Sequence, residues 1–330
     1  MRQLFSLGKH HLVTKILLLG LFIAVLIIPL FVKLPFPLHV FIAIFMFITL
    51  SESWNILGGF AGQASIMHAV YFGLGAYGST MMQLELGVNP WIAFIIGPLV
   101  TIPVSYMVGI PTFKLAGHFF VIATLAVGEV VRILFQNWEY VGGNVGLTIP
   151  VKPEGIVNFQ FHSSKAGYYY ISLAMAILTV LVVFMINKSK IGYYLKAVRG
   201  DQDAAAAIGI NPQKYKLQAN AISALIAGVA GAFYSQYVLF IDPVSVMSAH
   251  ISILVMLITV LGGMGTVMGP VVGSLILIPL SELTRVYWGG TGNGFDQIIY
   301  GLLIVLFAVF QPYGLMGLFS KRRKPKVVKS

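Results

Sequence analysis

The sequence predicts an all-α polytopic membrane protein, a bundle of about eight to ten transmembrane helices with room for broken or re-entrant ones. Three observations predict it. Only 9% of the 330 residues are charged and 58% are hydrophobic, whereas soluble domains carry roughly 25% charged residues. The apolar residues fall in blocks of the length, about 20 residues, that crosses a hydrocarbon core about 30 Å thick. The basic residues are concentrated: Arg2, Lys9 and Lys15 open the chain, six run from Lys188 to Lys216, and six from Lys321 to Lys329, so three segments hold 15 of the 21.

Taken in order, the expected spans are 16–32, 38–57, 64–86, 91–110, 118–135 and 168–186, then 217–240, 250–261, 267–283 and 298–310. The first is read as an uncleaved span, because Lys33-Leu34-Pro35 stands where a signal peptide would carry small residues. Six crossings precede the basic loop and four follow it, both even numbers, so all three basic segments share the cytoplasmic face as the positive-inside rule requires. The chain is therefore one membrane domain, 1–320, with a cytoplasmic loop at 187–216 and a basic cytoplasmic tail at 321–330. Block 250–261 is short, and the Leu261-Gly262-Gly263-Met264-Gly265 run after it admits a turn inside the membrane. This topology puts Trp91, Trp138 and Trp288 at outer span ends, where indoles favour the headgroup level, and gives Tyr168, Tyr169 and Tyr170 the same anchoring role.

A net charge of +11 would suggest nucleic acid in a soluble protein; here the charges follow topology, so lipid and not nucleic acid is the expected partner. There is no cysteine, which excludes disulfides and thiolate metal sites. No G-x-x-x-x-G-K-[ST] phosphate cradle, zinc-ligand spacing or nucleophile elbow occurs, so the chain is not expected to be an enzyme or to hydrolyse ATP by itself.

Ionisable residues within spans are costly and default to functional candidates. Glu129 with Arg132, and Glu282 with Arg285, sit at i and i+3 on one helical face, and structural pairing is favoured over a relay. Glu52 has no partner in sequence and stays open. His68, His118 and His250 are read as packing histidines. Glycines four apart, Gly58 with Gly62 and Gly265 with Gly269 and Gly273, are read first as close helix contacts. No internal repeat is visible.

The most informative segment is loop 187–216. Within it, Asp203-Ala204-Ala205-Ala206-Ala207-Ile208-Gly209 predicts a short helix with an acid at its start and a glycine to end it. A smooth alanine face suits a groove in another protein; the competing reading is a solvated connector.

Here the sequence resembles the permeases of bacterial ABC importers, whose coupling loop carries E-A-A-x-x-x-G; Asp203-Ala204-Ala205 with Gly209 follows it, Asp replacing Glu. Ser189-Lys190-Ile191-Gly192, Lys196-Ala197-Val198-Arg199 and Tyr215-Lys216 around it are similar to the branched-chain amino-acid permease family, in particular its LivM type. So are the stretch from Asn55 to Ser65, Gly73-Leu74-Gly75-Ala76-Tyr77, Leu261-Gly262-Gly263-Met264-Gly265 and Gln311-Pro312-Tyr313-Gly314-Leu315, so that the likeness covers roughly 50–318. His118 stands where an aromatic hydroxyl is expected.

The resemblance implies a type II-like ABC importer permease of the bacterial inner membrane for leucine, isoleucine or valine. It implies a second, LivH-like permease, two ATPase subunits that hold the ATP and Mg absent from this chain, and an extracytoplasmic substrate-binding protein. It assigns ATPase coupling to Gly192, Ala197, Arg199, Asp203, Ala204, Ala205, Gly209, Tyr215 and Lys216. Gly62, Gln63, Ser65, Gly262, Gly263, Gly265, Glu129 and Arg132 are candidates for the pathway or for helix packing. Urea, short amides or other amino acids are alternative cargoes, and an ion-driven secondary transporter is the alternative class, although the paired acids argue against it.

Overall fold

The computed structural model describes residues 25–32, 34–115, 117–288, 301–302 and 314–319. The expected span 298–310 and the basic segments 1–15 and 321–330 lie outside the described residues, apart from 301–302. Of the first expected span, 25–31 is helical.

Helix α1, Pro35–Trp54, starts on a proline suited to a first helical turn and is apolar all round, so it runs through the middle of the bundle with most of its residues buried. It continues as a π-helical turn, Asn55–Phe60, and then stops. Residues 61–67 are non-helical, although the next span was expected to open at Ala64; α2 begins only at His68 and ends at Leu84. The next expected span is built from α3, Pro90–Ile96, a 3-10 turn over Gly97–Val100 and α4, Thr101–Thr112. Pro98, which donates no backbone hydrogen bond, sits in that turn.

Helices α5, His118–Asn137, and α6, Ala166–Lys188, follow. Two short helices come next, α7, Lys190–Gly200, and α8, Gln202–Ala207. The 27-residue α9, Pro212–Val238, starts five residues before its expected span, so Tyr215 and Lys216 are helical and not part of a loop. The short block 250–261 is extended by α10, Pro243–Met247, and α11, Ala249–Gly263; α12, Gly269–Trp288, and α13, Leu315–Phe319, complete the described helices. Among the described residues, seven helical segments have the length and hydropathy to cross a membrane, and the 17-residue α2 accompanies them inside the bundle.

Close backbone approach holds the centre together. A Cβ on Gly231 of α9 would collide with the Phe72 carbonyl of α2, and one on Gly75 with the Gly228 carbonyl, so the two helices pack where side chains are missing. The glycine spacings are otherwise reinterpreted: Gly269 and Gly273 do abut α11, but Gly58 lies under the Trp54 ring inside the π turn, while Gly62 and Gly265 sit in bends outside any helix.

One end of the bundle carries the bend 61–67, the α4–α5 connection, the α7–α8 pair and the α11–α12 turn. Its core includes Phe60, Phe113, Phe120, Leu195 and Ala219. The opposite end carries the long connection 138–165 and a two-residue antiparallel pair, β1 (Leu147–Thr148) with β2 (Phe240–Ile241). There Tyr168 and Tyr169 are 4% and 0% exposed, and Tyr169 donates to the Val25 carbonyl at 2.6 Å, so only Tyr170 is placed like an interfacial anchor.

Candidate functional site

At the basic end, Ser189 caps α7 by accepting from Gly192 N–H, and the missing Cβ of Gly192 lets that helix turn back against the Ile186 carbonyl at the end of α6. Leu195 and Val198 are buried beneath α7, which lays the helix flat on the bundle. Asp201 caps α8, its side chain accepting from the N–H groups of Asp203 and Ala204 at 2.9 Å each. The cap is therefore Asp201, and Asp203 lies one position inside the first turn, still near the positive helix end.

Gly209 closes the unit with φ +87°, a left-handed conformation that a side chain strains, and nothing lies within 4 Å of where its Cβ would be. The alanine face is not uniform. Ala205 is turned inward and 3% exposed, whereas Ala204, Ala206 and Ala207 are exposed and Ile208 is 76% exposed. This short helix thus presents small side chains and one aliphatic knob, a surface suited to a groove. Ile208 is legible in the sequence only as a large apolar residue in a polar loop.

Underneath, the break between α1 and α2 gathers buried polar groups. Trp54 Nε1 donates to the Ser65 carbonyl at 2.8 Å across it. His68 Nε2 lies 2.7 Å from Ser223 Oγ, which donates to the Ser53 carbonyl at 2.6 Å. Ile66 N–H is received by Thr124 of α5 and Ala69 N–H by Ser252 of α11, so the backbone groups freed by the break find side-chain partners. Asn55 donates to Glu52 Oε2 at 3.3 Å and to the Thr266 carbonyl at 2.9 Å, and accepts from Gly265 N–H at 2.9 Å. Glu52, fully buried, therefore has a partner that its sequence neighbours alone did not identify.

The structure joins two of the expected groups. Arg199 of α7 donates to the Gly59 carbonyl in the π turn and lies against Gly62 and Gly265, so the loop residues and the glycine runs meet at one side chain. Ser65 belongs to the same break, with Gln63 two residues before it. Gly262 and Gly263 abut Gly269 and Met316 respectively, a packing role. Ala197 accepts from Asp201 N–H at 3.1 Å, Tyr215 packs on Tyr194, and Lys216 reaches Gln202.

Glu129 and Arg132 stand apart from this site, paired with each other on α5 as the i, i+3 spacing predicts. Glu282 pairs with Arg285 at 2.9 Å and also approaches His39 at 3.7 Å. His118 and His250, expected to be packed, are exposed; of the three histidines only His68 is a core residue.

The described arrangement has no group of acids and histidines that could hold a metal. Its distinguishing features are a surface hairpin and a broken helix joined to it. The model of the family described as "Branched-chain amino acid transport system / permease component" matches residues 36–308. Among similar proteins, the high-affinity branched-chain amino acid transport system permease protein LivM of Escherichia coli K12 is 27% identical over 303 residues, covering 85% of this chain and 70% of that protein. The "Probable branched-chain amino acid transport permease protein LivM" of Methanocaldococcus jannaschii is 24% identical over 272 residues, 75% of this chain and 78% of its own length. The corresponding LivH protein of that organism is 23% identical over 264 residues, 76% and 82% of the two chains. No solved structure matches. With a family model matched over most of its length, this multi-pass membrane chain belongs to the permease components of branched-chain amino acid transport systems.

Proposed function

We propose that the chain is a permease subunit of an ATP-binding cassette importer for leucine, isoleucine and valine in a bacterial inner membrane. It forms the translocation pathway with a second, LivH-like permease and receives substrate from an extracytoplasmic binding protein. ATP and Mg are held by two cytoplasmic ATPase subunits, one of which docks on α8. The basic end of the bundle faces the cytoplasm, as do both termini, because translocating its lysines and arginines would be unfavourable.

The observation that carries this reading is the α7–α8 hairpin: a short helix with exposed Ala204, Ala207 and Ile208, laid flat on the bundle in a chain without a phosphate-binding loop. Closure of the ATPases would displace the hairpin, and the spans would convert that displacement into alternating access. The test is uptake of labelled leucine into vesicles holding the complete complex. Uptake is expected only with ATP and both permeases; uptake by this chain alone, driven by a proton or sodium gradient, would contradict the proposal.

A further inference from the structure

We propose that Arg199 is the transmission residue of this permease, the side chain through which displacement of the α7–α8 hairpin reaches the π turn at the end of α1. The inference rests on the coupling reading above and adds a defined route to it.

Three segments converge on this one side chain. Its Nη1 donates to the Gly59 carbonyl, inside the π turn. Its stem covers Gly62: a Cβ there would lie 2.9 Å from Arg199 Cγ and 3.4 Å from its Cβ. Its guanidinium fills the space in front of Gly265, in the α11–α12 turn, where φ is +79° and a Cβ would collide with Nη1. The slot is walled by glycines because the arginine occupies the volume that side chains would take.

The linkage continues inward. Asn55 bonds the π turn to both Gly265 N–H and the Thr266 carbonyl, each at 2.9 Å, and also reaches the fully buried Glu52. A path of polar contacts thus runs from the surface hairpin to the last turn of α1. It ends at a segment suited to move in steps. A π turn differs from an α turn by one hydrogen-bond register, so a pull on the Gly59 carbonyl favours one of two discrete arrangements over the other. Such coupling typically shifts an equilibrium by about 5- to 150-fold. Lysine could still donate to the Gly59 carbonyl but would not fill the slot, since an ammonium lacks the planar fork.

The experiment uses the full transporter with its ATPases and binding protein, reconstituted in vesicles. Arg199→Ala is expected to lower leucine uptake by about tenfold or more, and uptake per ATP hydrolysed with it, while ATPase copurification and basal hydrolysis stay within about twofold of the parent. Arg199→Lys should recover part of the uptake. Parental uptake by Arg199→Ala, or loss of the ATPase from that variant, would each overturn the proposal while leaving the coupling reading intact. Ile208→Arg separates the two: if it keeps both the ATPase and normal uptake, the coupling reading fails and this proposal with it.

Discussion

Lys216 Nζ donates to Gln202 Oε1 across 2.5 Å, tying the first turns of α9 and α8 together with a lysine that is only 2% exposed. The contact explains how a six-residue helix, far below the length at which isolated helices persist, keeps its place: it is fastened to the longest helix of the bundle.

Lys216→Met keeps much of the apolar stem and removes the donor. A hydrogen bond to a charged group contributes about 1.5–3 kcal/mol, so α8 should open locally more often. In a protein without cysteine, Ala205→Cys, at a position 3% exposed, reports this. Its labelling should quicken by about tenfold when Lys216→Met is added. An unchanged rate would show that the bond does not hold α8.

Gly231→Val should prevent recovery of folded protein, because its side chain would be driven into the Phe72 carbonyl of the neighbouring helix. Overpacking usually costs about 1–3 kcal/mol, and a clash with backbone lies at or above that range. Gly155→Ala, in the long connection with nothing within 4 Å, should be neutral. Size-exclusion profiles in detergent compare the two.

Ser223→Ala should destabilise the bundle by about 1 kcal/mol, since it removes the hydroxyl between His68 and the Ser53 carbonyl, and buried hydrogen bonds in membrane helices average near that size. Thermal unfolding in detergent measures it. An unchanged midpoint would mean that the pair finds another partner.

These contacts also show what the sequence could and could not reveal. Hydropathy alone located the described spans, since a bilayer selects for apolar length. It placed an interruption at 58–63 but missed that the break runs on to Met67, because that extension is supported by side chains distant in sequence, Thr124 and Ser252 among them. The residues from Asp203 to Gly209 were legible as a short helix because alanine and glycine act locally. Which alanine faces inward was not, since that depends on how α7 lies on Leu195 and Val198. The tyrosines misled for a related reason: three aromatics at a span end match an interfacial belt, yet Tyr168 and Tyr169 pack inside the bundle.

The proposed topology, with the basic clusters on the cytoplasmic face, yields a labelling pattern. A cysteine at Val157, 70% exposed in the long connection, should react with an impermeant reagent added outside intact cells. One at Gln202 should react only after permeabilisation. The reverse pattern would place α8 on the wrong face for an ATPase.

The central claim, that α8 and its closing glycine are the docking element for the ATPase, is tested most directly by copurifying the ATPase with Ile208→Arg and Gly209→Arg in the assembled transporter. Both positions are exposed, so a solvated connector would absorb either change, apart from about 1–2 kcal/mol of local backbone strain at Gly209. The account predicts that both variants insert normally, lose the ATPase and lose uptake; retention of the ATPase with normal uptake in both would contradict it.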